Sequence, residues 1–312
     1  MNFAQLEYII GVDNYRHFNT AAEKCFVTQA TLSMMIKKLE DELGVKIFDR
    51  SRQPVTPTRE GEQVILRARQ ILASANSLRE YVRDLKEEIT GDLHLGIIPT
   101  LAPYLLPLFL KSFTLKYPDL NIYIKELVTD EIILKLKTGE LDAGLLATPL
   151  NEDAITEHPL FYEEFFAYAS RHEKLSRKKY LLPKEIHLDH LWLLEEGHCL
   201  RTQVLNLCEL KNKETNAKGL HYQAGSIETL VNLVDKNDGI TIVPYLATLL
   251  LKPGQKKNLR EFAKPKPVRE ISLVTSRNFS RKKLLDHLKH QIMNAVPQTM
   301  LEPAKIKVTS IV

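Results

Sequence analysis

In the run Gly197-His198-Cys199-Leu200-Arg201 a histidine and an arginine flank one cysteine, and Cys208 follows nine residues after it. A thiol attacks an oxidant as its thiolate, and cationic or donor neighbours lower a cysteine's pKa from its free value of about 8.5. Cys199 therefore reads as a reactive nucleophile and Cys208 as a possible resolving partner, together a redox switch. The segment Arg201–Cys208 has good helix formers and neither glycine nor proline. If it is helical, nine residues rise about 13–14 Å and turn the two sulfurs to opposite faces. A disulfide needs Cα atoms within about 7 Å. Pairing these two would require the segment to remodel its own backbone.

Other readings stand beside this one. Two cysteines in an intracellular protein are commonly independent buried thiols. A zinc site is disfavoured, because the spacing is not Cys-x-x-Cys and no second pair completes four ligands. The sequence predicts no metal and no cofactor. Three cysteines in 312 residues, an odd number, argue against a secreted disulfide framework. The first residues lack the basic and apolar regions of a signal peptide, and no apolar run approaches a membrane span, since Pro103 and Pro107 interrupt Leu101–Phe109. The expectation is a cytoplasmic protein with no membrane partner.

The chain is long enough for one small and one larger domain, and its 44% hydrophobic and 26% charged content is that of a globular protein. A net charge of +4 permits a nucleic-acid partner without indicating one. Residues 1–60 hold eight Lys/Arg against eight Asp/Glu, so bulk charge says nothing about DNA and the case rests on placement.

That placement is informative. Phe3, Leu6, Ile9 and Ile10 share one helical stripe. Thr20-Ala21-Ala22-Glu23 reads as a capping box opening a second, short helix that ends at Cys25 and Phe26. After a turn at Val27 and Thr28, a third helix from Gln29 to about Leu43 turns Leu32, Ile36, Leu39 and Leu43 inward. Its opposite face offers Gln29, Thr31, Ser33, Met34 and Lys37, which suit base edges and phosphates in a major groove. Two short strands, Val45–Arg50 and Val55–Thr58, would carry a basic wing of Arg50, Ser51, Arg52 and Gln53. Gln29, Thr31, Ser33, Lys37, Arg50 and Arg52 are the predicted DNA contacts.

Past Gly61, Val64, Ala68, Ile71, Ala75, Leu78, Val82, Leu85 and Ile89 recur at alternating spacings of 4 and 3, a sustained heptad seam. It predicts one long helix pairing with its copy through Val64, Ile71, Leu78, Val82 and Leu85, and ending at Thr90 and Gly91. From Asp92 the pattern turns α/β. Leu93, Leu95 and Ile97 alternate, as do Ile122 and Ile124, and Ala143–Ala147 is a buried run, with helices expected at Tyr104–Tyr117 and Glu131–Thr138. Thr100 and Thr129 follow the first two strands, where ligands of open α/β sheets bind, and could face one small cavity. A helix opens at Ser226, a strand follows Asn237-Asp238-Gly239, and Ile271–Val274 is a late strand returning towards the first subdomain.

The stretches Phe18–Ala22, Thr28–Ser33 and Ile36–Gly44 resemble the winged helix-turn-helix of LysR-type transcriptional regulators, and the resemblance continues to about residue 293. Ala30 departs from it, standing where many members have proline. Within that family Gly96-Ile97-Ile98-Pro99-Thr100, Gly197–Arg201 with Cys208, Ser226–Asn232 and Pro267-Val268-Arg269 are similar to the peroxide-sensing members. The resemblance implies that Cys199 is the peroxidatic cysteine and Cys208 the resolving one. It also implies that Thr100, Thr129, His198 and Arg269 surround the peroxide, with His221 assigned to the same role. The implied fold class is α/β, with a winged helix-turn-helix at 1–60, a linker helix at 61–90 and a two-lobed, periplasmic-binding-protein-like regulatory domain at 91–300. Lobe I would comprise 91–162 and 269–300, lobe II 163–268, and 301–312 a tail. The implied protein is an activator without enzymatic turnover, acting on oxidative-stress genes. Its implied partners are a double-stranded DNA operator, hydrogen peroxide as signal, RNA polymerase and further copies of itself as a dimer of dimers. Two rivals are a LysR-type regulator sensing an organic metabolite with incidental cysteines, and a solute-binding protein or thiol peroxidase.

Overall fold

The computed structural model describes residues 1–85, 89–210, 224–302 and 307–309. Two compact units emerge, Met1–Lys86 with 137–140 and 278–280, and the remainder of the chain.

In the first unit α1 (Phe3–Tyr15), α2 (Phe18–Lys24) and α3 (Gln29–Leu43) precede a hairpin of β1 (Phe48–Asp49) and β2 (Thr56–Pro57), and α4 (Arg59–Leu85) follows. Leu6, Ile9, Val12, Ala21, Ala22, Leu32, Ile36 and Leu39 make one core. Phe3 and Leu43, expected inside, are 58% and 41% exposed. The second helix does not open at a Thr20 capping box. It starts at Phe18, where the His17 side chain accepts from the Thr20 amide, so the imidazole takes the capping role. Thr28 caps α3 through its hydroxyl, and Gly44 closes it in the left-handed conformation that glycine adopts most readily.

Helix α4 is continuous, but its seam divides. Ile65 and Ala68 are buried in the core of this unit and Val64 and Leu72 pack against it, so the first turns are core helix rather than free interface. Further along, Ile71, Leu78 and Val82 are 40%, 67% and 46% exposed. The backbone of Leu85 continues the helix; Ile89 lies past its described end.

The second unit is built on β3 (Gly91–Ile97), α5 (Ala102–Lys116), β4 (Leu120–Glu126), α6 (Thr129–Thr138), β5 (Ala143–Thr148) and the fifteen-residue β6 (Ile155–Ala169). There follow β7 (Tyr180–Leu181), α7 (Cys199–Leu207), α8 (Ile227–Asn237), β8 (Ile240–Pro244), α9 (Tyr245–Leu249), α10 (Pro253–Lys256) and β9 (Leu259–Phe262). β10 (Pro267–Ser276), α11 (Lys282–Ala295) and β11 (Lys307–Val308) complete it. The strand order is β4-β3-β5-β10-β6-β9-β7, with β8 also paired to β6 and β11 to β10. Strands β3, β4 and β5 are parallel, whereas β10 runs antiparallel to both β5 and β6. The near half of β6 pairs with β10 and its far half with β8 and β9, so one strand serves both lobes. The tail, given no element from sequence, supplies β11 in parallel register with Pro267 and Val268.

The first unit hangs on Glu40. This α3 carboxylate is 1% exposed and accepts from the amides of Ile47 at 2.8 Å and Phe48 at 3.3 Å, while its other oxygen receives Arg50 at 3.1 Å. Hydrogen bonds to a buried charge are worth about 1.5–3 kcal/mol each. We expect Glu40→Ala to destabilise the first unit by about 2–3 kcal/mol in urea unfolding, more than a typical surface change of about 0.5 kcal/mol; a loss no larger than the surface value would contradict this role.

Candidate functional site

Thr100 follows β3, Thr129 opens α6, Cys199 opens α7 and Arg269 lies on β10, and the chain topology brings these four into one buried cluster. Arg269 is fully buried. It stands directly across from Glu163 in the β10–β6 register, and its Nε and a terminal nitrogen donate to Glu163 Oε2 at 2.9 and 2.8 Å. The other nitrogen donates to Thr100 Oγ1 at 3.1 Å, and a further bond reaches the Thr100 carbonyl at 3.2 Å. Glu163 Oε1 accepts from the Leu246 amide in α9 at 2.8 Å. Every strong group of the pair is thereby answered, which is what lets an ion pair persist without water.

Cys199 is buried at the first position of α7. Gly197 precedes it at φ +93, a left-handed turn suited to glycine. His198 occupies the cap position but its side chain accepts no cap hydrogen bond. The helix's first amides are left to the sulfur, and those of Leu200 and Cys199 favour its thiolate. Arg269 and the Thr129 hydroxyl act in the same direction. Thr129 Oγ1 makes no full hydrogen bond of its own and remains a buried orphan. Burial outweighs all of these and holds the thiol above its ordinary pKa.

This corrects the sequence reading, in which flanking cations lower the Cys199 pKa. Arg201 donates to the Leu194 carbonyl at 2.9 Å, and His198 Nε2 faces Glu195 at 3.5 Å. The cation near the sulfur comes from β10 instead, and the net shift is upward. Cys208 is also buried, at the end of α7 among Leu200, Val204 and Leu210, and burial pushes its thiol up to about 12. All three cysteines are free thiols. With α7 helical, the Cys199 and Cys208 Cα atoms are about 13 Å apart by helical rise. His221 lies outside the described residues.

Sequence reasoning missed Glu163. Its signal is an acid in the inward phase of Phe161, Glu163, Phe165 and Ala167. It also missed Gln203, fully buried on α7 between the cysteines, whose Nε2 donates to the Thr309 carbonyl at 3.2 Å while its Oε1 has no partner. Among the described residues no group of three or more His, Cys, Asp or Glu is placed to hold a metal ion. A separate open cleft of about 730 Å³, bounded by His172, Lys184 and His190, shares no residue with this cluster.

In the first unit the predicted DNA contacts divide. Ser33 accepts from Arg50 at 3.1 Å, the Arg50 guanidinium also lies over the Phe18 ring, and the Thr31 hydroxyl bonds the Thr28 cap at 2.9 Å. Gln29 and Lys37 are exposed on α3, and Arg52 is 75% exposed with Asp49 at 3.4 Å.

Residues 3–62 match the helix-turn-helix model of the lysR family of bacterial regulatory proteins, and residues 86–296 match the LysR substrate binding domain. The chain belongs to the LysR family. It is therefore a transcriptional regulator of the helix-turn-helix class and not an enzyme. It is 37% identical over 276 residues to the hydrogen peroxide-inducible genes activator of Haemophilus influenzae, covering 88% of this chain and 90% of that one. It is 35% identical over 277 residues to the DNA-binding transcriptional dual regulator OxyR of Escherichia coli, covering 88% and 89%. A full-length OxyR variant from Pseudomonas aeruginosa superposes with TM-score 0.77 at 33% identity, over 95% of this regulator and 99% of that chain. No helix among the described residues is long and apolar enough to cross a membrane.

Two outcomes follow from the cluster. Removing one member of a buried ion pair costs about 3–5 kcal/mol, so Arg269→Met should lower unfolding stability by that order; a change under about 1 kcal/mol would show that the pair is not the keystone. Because the Cys199 thiol sits above its ordinary pKa, alkylation of the reduced protein should keep accelerating beyond pH 9. Thr129→Val should move that profile to still higher pH, and a plateau below pH 8 would contradict the geometry.

Proposed function

We propose that this regulator is a cytoplasmic, hydrogen peroxide-responsive activator that binds a double-stranded DNA operator as a homo-oligomer, a dimer of dimers. It would recruit RNA polymerase to oxidative-stress genes. The carrying observation is the Cys199 sulfur, buried beside Arg269 and Thr129 in a chain that also holds a DNA-reading unit.

Peroxide provides what the resting thiol lacks. The Cys199 thiolate attacks one peroxide oxygen, the O–O bond breaks, and the distal oxygen leaves as hydroxide and is protonated to water, giving a sulfenic acid. Arg269 favours the thiolate and the negative charge developing on the departing oxygen. Thr100 accepts from Arg269, which leaves its hydroxyl hydrogen to donate to peroxide, and the orphan Thr129 hydroxyl is a second donor. His198 and His221 belong to the same assignment. Cys208, as thiolate, then attacks the sulfenic sulfur, displacing hydroxide and forming the disulfide. The helical distance between the two cysteines requires α7 to unwind, withdrawing Leu200 and Val204 from the lobe core. That refolding is the signal passed to the oligomer. In the reader, Gln29 serves base recognition and Lys37 and Arg52 serve the backbone, while Thr31, Ser33 and Arg50 order the reading helix and wing; Ile71, Leu78, Val82 and Leu85 form the dimer seam.

The test pairs a reporter with thiol mapping. One equivalent of peroxide should convert Cys199 and Cys208 to a disulfide and leave Cys25 a thiol, and Cys199→Ser should abolish induction while retaining DNA binding. Full induction in Cys199→Ser would refute the sensor assignment.

A further inference from the structure

We infer that Phe26, Ala30 and Met34 form an apolar strip that seats thymine 5-methyl groups in the major groove of the operator. The inference rests on the DNA-binding reading above and adds the chemistry of the bases it prefers.

The outward surface at the start of α3 is less polar than its sequence suggests. Thr31 is tied to the Thr28 cap and Ser33 to Arg50, so two of the polar groups expected to read bases already serve the fold. What remains outward includes Phe26 at 95% exposure, Met34 at 63% and the exposed Ala30. Phe26 is more exposed than any other large apolar side chain among the described residues.

A scattered exposed apolar residue is ordinary. Phe26 differs in its backbone, which at φ +55 is left-handed, a conformation that glycine or asparagine adopts with far less strain. The fold thus carries a bulky side chain where a small one would suit it better, two residues before the cap of the helix that enters the groove. Ala30 and Met34 lie one turn apart on the exposed face of that helix, about 6 Å along its axis, which is near two base-pair steps. Thymine alone among the four bases presents a methyl group in the major groove, and alanine and aromatic side chains recognise it by apolar contact. Three side chains fall well short of the roughly 800 Å² a side that a stable protein interface buries, which favours base methyls over a second protein as the occupant.

The experiment uses the full chain. Duplexes are selected from a random library, then resynthesised with deoxyuridine for thymidine, one position at a time, and binding is measured by fluorescence anisotropy. Wild type should lose about fourfold in affinity for each contacted methyl removed, the scale of burying one such group. Phe26→Gly and Met34→Ala should bind the thymine and uracil duplexes alike at their own positions, with the melting temperature of Phe26→Gly unchanged or raised. Phe26→Leu should keep part of the preference. Equal wild-type affinity for thymine and uracil at every position would overturn the inference while leaving the DNA reading intact. If no duplex is enriched at all, both fall. Loss of oligomerisation in Phe26→Gly with the thymine preference retained would assign the residue to a protein contact instead, and would also overturn it.

Discussion

The two regulatory lobes depend on one buried ion pair. Arg269 and Glu163 face each other across β10 and β6, the two antiparallel strands that hold the lobes together, and neither side chain reaches solvent. Taking both charges out of water is costly, and the cost is met because all three guanidinium nitrogens and both carboxylate oxygens find partners: Thr100 from the β3 turn, the Leu246 amide from α9, and the two charged groups themselves. Two further segments, the β3 turn and α9, are thereby pinned to one ion pair. The same guanidinium is what the Cys199 sulfur meets when it is charged, so the group that organises the fold also biases the thiol.

Two opposed influences act on the Cys199 thiol, and burial is the larger. Burial keeps Cys199 protonated, while Arg269, Thr129 and the uncapped amides of α7 draw it towards the thiolate. Cys208 has no such counterweight, and burial alone acts on it. The asymmetry between the two sulfurs arises from where α7 begins and ends, since one sits at the donor end of the helix and the other at the acceptor end.

Local pattern carried much of this architecture. The heptad spacing, the alternation of Leu93, Leu95 and Ile97, and the Ser226 cap each translate a short-range rule into an element, and each is found where the rule puts it. The pKa of Cys199 was not legible, because neighbours in sequence are poor proxies for neighbours in space. Arg201 lies two residues away and turns to a carbonyl, whereas Arg269 lies seventy residues on and faces the sulfur. Long-range pairing also hid β6 and the β11 tail, whose places are fixed by partner strands rather than by their own composition. The seam of α4 looked uniform because periodicity records which side chains share a face and not what covers them. Its first turns are covered by α1.

Glu40 carries a consequence of a different kind. A charge pair on the surface loosens as ions accumulate around it, but a carboxylate at 1% exposure, held by two backbone amides, is largely shielded from them. The angle between the reading helix and the wing is therefore set by an interaction that dissolved electrolyte barely reaches. On the DNA-binding reading proposed above, the dependence of affinity on ionic strength then reports mainly the phosphates neutralised and their released counterions, with little contribution from a change in this angle.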